Sequence, residues 1–494
     1  MPPDSPGSST ALTASLEFVR GYWLRILGIS VLLLVPCFWH RHIEASDLGS
    51  HLYNAWLAQL IHRGQASGLW LAHQWTNVLF DFSLSGFGAL FGLRAAERIS
   101  VSLSILIFFW GAFAFAAAAA RRAPWFLGPL IAVAAFGYTF HMGFFNFYLA
   151  LGFSFFGLAI LWRGRGAERL TALVFVPVIL VAHPIGLIWF TAAGAYILIA
   201  ERIPASLHVF LFAASVAALV AAHFYFNSHY ITEPAPSPLY FFNGADQLFL
   251  FGARYHIPEF SVLIFGVAAV IADLFRGPGE RFRKLLGIPF ELYLLVLVAV
   301  PLLPRGITFG PHIAPIALLT ERMTTVSLIL AVCLLATLQP RQWHLVASLT
   351  IAAIFFSFVY QDTARADRME TQVDKLVGSL PPNQRVVATI KPFIGARILI
   401  QHMIDRACIA HCFDYGNYEP ASGVFRVRAL AGNPYNLSDY DDAVSTEEGD
   451  YEVQPEDLPI YQIYQCNLAG TQLCMEPLRA GDTNDHDGIH HDDE

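Results

Sequence analysis

Apolar runs of about 17 to 20 residues recur along the first three quarters of the chain, separated by loops that carry its charge. Each run is long enough to cross a hydrocarbon core ~30 Å thick. Soluble domains have about 25% charged residues; this chain has 14% charged and 55% hydrophobic residues, so most of it is built to face lipid. The expected fold is an all-α polytopic membrane domain over residues 20–360, followed by a small soluble domain.

Hydropathy windows place eleven spans, at about 20–39, 99–119, 124–140, 144–162, 169–183, 186–200, 206–224, 260–275, 286–303, 323–339 and 343–360. Arg121 and Arg122, then Arg163, Arg165 and Arg169, then Arg202, then Arg276, Arg281, Arg283 and Lys284, then Arg341 fall in every second loop. Positive charge marks the cytoplasmic side, so residues 1–19 read as a cytoplasmic tail. The alternate loops, 40–98 above all, and everything after Tyr360 then face outward. The first run has no small-residue cleavage site and ends in Pro36-Cys37-Phe38-Trp39-His40, which reads as an uncleaved anchor. The expected location is a bacterial inner membrane, with the C-terminal domain extracytoplasmic.

From Gln361 onward there are 23 acidic and 10 basic residues, a balance of −13 against +5 for the rest. A helical stretch near Ala366 to Leu380, Pro381-Pro382 and the strand-like Arg385 to Ile390 predict a small α/β domain over 361–480. The His and Asp tract 481–494 reads as a disordered tail. Cys408, Cys412, Cys466 and Cys474 allow up to two disulfides, in one of three connectivities. A zinc site is the rival, although neither pair has CxxC spacing. Cys37 and Cys333 sit at or in apolar spans and are expected to be inert.

Candidate chemistry concentrates in loop 40–98, which begins His40-Arg41-His42-Ile43-Glu44-Ala45-Ser46-Asp47. On a helix, Asp47, His51 and Asn54 fall within about 60° of one another. Asp47 would either cap that helix or act as a general base, with Glu44 or His51 assisting it.

The acidic motif after the first span, the helix ending near Gly64, the aromatic stretch Trp70 to Phe91 and the lead-in Gly92-Leu93-Arg94-Ala95-Ala96-Glu97-Arg98 resemble the GT-C superfamily of membrane glycosyltransferases. The likeness is best with its protein mannosyltransferase and aminoarabinose transferase branch. That resemblance implies an inverting transfer from a polyprenyl- or dolichyl-phosphate sugar donor in the membrane to a glycan, lipid or protein acceptor. Asp47 would be the base, with Glu44 or Asp81 as a second acid; a divalent cation serves some members, and the cofactor here is left open.

A departing lipid phosphate needs cations, and Arg305, His312 and Arg322 stand near the outward interface. The plainer alternative is a snorkelling Arg322 paired with Glu321. The loop 225–259, with Tyr240 and Asp246, reads as an acceptor-binding lid or as an interfacial aromatic anchor. His141 and His183 mark outer span ends, the latter before Pro184. Phe413-Asp414-Tyr415-Gly416-Asn417 shares three residues with the WWDYG signature of oligosaccharyltransferases and lacks both tryptophans.

There is no Walker A loop, glycine-rich dinucleotide fingerprint or HExxH, and no nucleic-acid partner is expected. Two other readings stay open: a carrier or transporter of lipid-linked glycans, and a non-enzymatic membrane subunit that docks a partner through its C-terminal domain.

Overall fold

Long apolar helices dominate the computed structural model, which describes residues 11–235, 242–275, 286–310, 315–467 and 470–484. Tyr240, His312, the basic loop 276–285 and the tract from 485 lie outside the described residues. Among the described residues, seven helical stretches are long and apolar enough to cross a membrane: Val19–Cys37, Leu93–Ala120, Phe145–Arg163, Ala205–His229, Ala253–Leu274, Leu319–Thr337 and Gln342–Gly378. The chain is an integral membrane protein of mainly helical build.

The other four expected spans are shorter or broken, for local reasons. Residues 124–140 divide at Gly137, whose extended backbone separates Gly128–Ala135 from Tyr138–His141. The segment 169–183 starts in a 3-10 turn, Gly166–Val174, and is α-helical only over Phe175–Ala182. Proline disfavours helical backbone in the residue before it, and His183 is accordingly extended before Pro184. Pro184–Ala200 and Ile288–Leu302 are helices of 17 and 15 residues.

In chain order the helices are α1 (Ala11–Leu34), α2 (Leu48–His62), α3 (Leu79–Phe91), α4 (Leu93–Ala120), α5 (Gly128–Ala135), α6 (Tyr138–His141), α7 (Phe145–Arg163), α8 (Phe175–Ala182) and α9 (Pro184–Ala200). They continue with α10 (His208–His229), α11 (His256–Leu274), α12 (Ile288–Leu302), α13 (Leu319–Thr337), α14 (Gln342–Gly378), α15 (Met403–Cys408), α16 (Tyr418–Ser422) and α17 (Tyr440–Glu448). Lipid supplies little hydrophobic drive between helices, so small residues that let backbones meet decide the packing. A Cβ at Gly111 of α4 would lie 2.3 Å from the Gly152 carbonyl oxygen of α7, so those two helices touch backbone to backbone. Phe108 and Tyr148 stack beside this contact at 4.3 Å. α13 is buried along almost its whole length, whereas α10 buries none of its residues and faces outward from the bundle.

α14 merges the last expected span with the helix expected near 366–380, giving one rod of 37 residues, about 55 Å long at 1.5 Å per residue. Beyond it lies a four-stranded sheet in the order β5 (Phe413–Asp414), β4 (Arg385–Thr389), β7 (Ile460–Gln465), β8 (Leu473–Leu478). β4 runs parallel to β5 and β7, and β8 closes the edge antiparallel. The disulfides are Cys408–Cys412 and Cys466–Cys474. β1 (Leu69–Leu71), in the first polar loop, pairs antiparallel with β6 (Val427–Ala429), so that loop and the C-terminal segment are stitched together, while β2 (Ile231–Glu233) pairs antiparallel with β3 (Gly306–Thr308).

A buried charge network reinforces the seam. Arg406 of α15 pairs with Glu370 of α14, reaches Glu97 of α4 at 3.2 Å and donates to the Ile43 carbonyl at 3.1 Å. His42 binds Asp367 at 2.9 Å and Arg41 binds Asp374 at 3.0 Å. Removing one partner of a buried ion pair leaves uncompensated charge, which costs ~3–5 kcal/mol. Arg406→Met is therefore expected to destabilise the protein by about 3–5 kcal/mol, read as a lower denaturation midpoint in detergent. Burial and the neighbouring Glu370 push the Glu44 carboxyl up to about 8, against the pull of Arg406 and His42. Below about pH 8 Glu44 keeps its proton with or without Arg406, so its share of the deficit grows only as pH rises through about 8. An unchanged midpoint would show that Arg406 does not hold the seam.

Candidate active site

Asp47 sits at the N-cap position of α2, yet its side chain makes no capping hydrogen bond. Its backbone is fixed from below instead. The Ser46 amide donates to the His141 carbonyl at 2.7 Å, the Asp47 amide to the Met142 carbonyl at 3.3 Å, and His141 Nδ1 bonds the Glu44 carbonyl at 3.0 Å. Gly143 makes the close approach possible: its φ is +79°, and a Cβ there would lie 2.7 Å from the Asp47 nitrogen. The turn between α6 and α7 thus presents the carboxylate, whose side chain keeps 24% exposure while its neighbours are enclosed.

From above, the C-terminal segment closes on the same residue. A Cβ at Gly49 would lie 2.1 Å from the His402 carbonyl oxygen, so α2 and the start of α15 are in direct contact. His402 Nε2 stands 3.8 Å from Asp47 Oδ1, while its Nδ1 is 3.2 Å from Asp405. Burial opposes a charge on His402, but Asp405, Glu447 and Asp47 overcome it and raise its pKa to about 10. Asp47 therefore faces an imidazolium. Burial raises the Asp47 pKa above the usual carboxylate value; His402, His51 and Arg322 pull it back down, and Asp405 adds to the rise.

His51, one turn along α2, bonds Asp81 of α3 at 2.7 Å, and Asn146 of α7 donates to the other Asp81 oxygen at 2.9 Å. Burial works against the charged form of His51, yet the adjoining Asp81 carboxylate lifts it to about 9. The reciprocal effect keeps Asp81 ionised: burial would raise its pKa, but His51 and Asn146 leave it below the usual value. Glu419 of α16 faces His51, with burial pushing its carboxyl up to about 8. Asn54 does not share this cluster; it accepts from Asn417 at 3.2 Å and ties α2 to the segment after β5. There the Asp414 amide bonds the Tyr53 hydroxyl at 3.0 Å, so the Asp414-Tyr415-Gly416 fragment packs on α2 as a support.

The cations come from α13 and its approach. The Arg322 guanidinium lies 3.9 Å over the Phe144 ring, with Nη1 3.4 Å from His183 Nε2, and its Nε has no hydrogen-bond partner. Among the described residues no carboxylate lies within ion-pair distance of it, and its charge interacts with that of Asp47. Glu321 instead pairs with Arg305 at 3.2 Å and accepts from Thr320 at 2.6 Å. His183 accepts from the Ile185 amide, which fills the gap left by the break before Pro184.

The candidates from the sequence divide as follows. Asp47 interacts electrostatically with His51 and Arg322, and Asp81 joins them through its bond to His51. Glu44 turns away, into the Arg406 and Glu370 network, and so does not neighbour Asp47. Arg305 is 44% exposed and engaged with Glu321. Asp246 is buried, accepts from Thr324 at 2.7 Å and lies 4.0 Å from Arg397, which anchors its loop under α13. Tyr240 and His312 are outside the described residues.

Sequence reasoning missed His402, Asp405, Glu419, Glu447 and Tyr418, whose ring lies 5.4 Å from that of His402, because nothing local links them to loop 40–98. The His402-x-x-Asp405 spacing, one helical turn in the C-terminal segment, is the one signal that marked a paired histidine. Among the described residues, no group of three His, Cys, Asp or Glu side chains is arranged to hold a metal ion. Comparison with known proteins gives no match, whether among family models, curated proteins or solved structures.

Proposed function

We propose that this chain is a membrane glycosyltransferase that moves a sugar from a polyprenyl-phosphate donor to an acceptor on the extracytoplasmic side. One observation carries the reading: an uncapped, half-buried carboxylate, Asp47, interacts with Arg322, an arginine that has no carboxylate partner among the described residues. A base and a cation for a leaving group are the two elements that such a transfer needs.

In this reading the acceptor hydroxyl gives its proton to Asp47, and its oxygen attacks the anomeric carbon from the face opposite the phosphate. The bond from that carbon to the phosphate oxygen breaks, and the electron pair leaves with the phosphate. Arg322 stabilises the charge that accumulates there, since guanidinium matches phosphate geometry. His402 and His51 are positioning residues that keep Asp47 ionised.

The sign of the pH dependence follows. Transfer needs Asp47 ionised, so it falls as pH drops through the Asp47 pKa. His402→Gln removes the foremost charge holding that pKa down, so the acidic limb of kcat/KM is expected to move to higher pH. A limb that stays in place would rule out His402 as the tuning group. The reading itself is tested by incubating the purified protein in lipid with a labelled donor and looking for free polyprenyl phosphate. Donor that is bound but returned intact would favour a carrier of lipid-linked glycans.

A further inference from the structure

A cleft of about 380 Å³ opens between α2 and α3, away from Asp47. Ala55 and Ala58 of α2 and Gly86 and Ala89 of α3 form its apolar walls, with Gln59, His62, Arg63, Ser85 and Arg426 supplying the polar groups. Every charge-bearing side chain on this lining is basic. Among the described residues none of the three has a carboxylate within ion-pair distance. Arg426 donates to Ser85 Oγ at 3.1 Å and lies 5.1 Å over the Phe82 ring. The Gln59 Nε2 is buried without a hydrogen-bond partner. With three basic side chains and no carboxylate partner for them among the described residues, the cleft suits an anion.

The surroundings add a second requirement. α3 leaves Phe82 and Leu90, next to the cleft-lining Ser85, Gly86 and Ala89, exposed. A helix of this kind, apolar and too short to span, belongs at the membrane interface. We infer that the cleft between α2 and α3 binds the phosphate headgroup of an anionic amphiphile, whose alkyl chain lies along the exposed face of α3. Arg63 and Arg426 grip the phosphate oxygens, and the alanine and glycine walls leave room for the glycerol or first methylenes. The placement of Arg426 depends on the β1–β6 pairing, because its carbonyl accepts from the Ala72 amide at 2.8 Å just before β6. The inference does not require that the chain be a transferase.

The test uses the full chain in phosphatidylcholine nanodiscs with a photoreactive dodecyl phosphate as probe. Label is expected on the α2 and α3 peptides, displaced by unlabelled dodecyl phosphate and not by dodecanol. Each charge-assisted contact is worth enough to change affinity about tenfold, so R63Q and R426Q should each weaken labelling by about that factor. Gly86→Phe gives an independent variant: a Cβ at Gly86 meets nothing within 4 Å, so the ring fills the cleft without disturbing its walls and should abolish labelling. Equal labelling of wild type and all three variants would overturn the site. Displacement by inorganic phosphate as strong as by dodecyl phosphate would overturn the amphiphile, leaving a site for free phosphate.

Discussion

Asp47→Asn is expected to reduce transfer by about 10²- to 10⁴-fold, the range for loss of a general base, while donor affinity stays within a few-fold. Asparagine matches the shape of aspartate but takes no proton, and Asp47 makes no capping bond whose loss could be blamed for an effect on α2. Donor binding should survive because the cation lies on another element, α13. The fold should survive too, since the 44–47 segment is held through backbone bonds to residues 141 and 142. The checks are single-turnover transfer and donor binding on the same preparation. Transfer by the variant at the wild-type rate would assign the base to another carboxylate, and Asp81, ionised beside His51, would be the next to replace.

Arg322→Gln should cost about 10²- to 10³-fold in transfer, the usual loss when one preorganised charge is taken from a developing anion. Unlike Asp47→Asn, it should also weaken donor binding, because the ground-state phosphate already carries charge. Arg322 helps to hold the Asp47 pKa down, so the acidic limb should move to higher pH in this variant as well. Lysine at this position keeps the charge but loses the planar fork and the stacking on Phe144, so partial recovery is expected. Donor affinity and rate both unchanged in Arg322→Gln would remove Arg322 from the site and leave the phosphate to Arg305.

Much of the bundle was legible because transfer of an apolar run into lipid is a local property. Val19–Cys37, Leu93–Ala120, Phe145–Arg163 and Leu319–Thr337 could be placed from hydropathy alone. The interruptions were harder to read. Gly137 breaks an apolar run where nothing polar announces it, and α14 continues through Gln361 to Thr363, where a change in composition invited a boundary. Helical spacing put Asp47 and His51 on one edge, but spacing could not say what would face that edge. The answer came from both ends of the chain: Asp81 and Asn146 through α3 and α7, His402 and Asp405 through a segment whose docking depends on two strands of three residues each. Such pairing leaves almost no trace in sequence. The choice between Glu44 and Asp81 had the same origin, since Arg406 draws Glu44 to the other side of the seam.

The most direct measurement is transfer of a radiolabelled sugar from polyprenyl-phosphate donors to a panel of glycan, lipid and protein acceptors by the wild-type protein, purified and returned to lipid. A labelled product and an equal amount of free polyprenyl phosphate are expected with at least one pairing. Donor that binds and is recovered intact with every acceptor would contradict it.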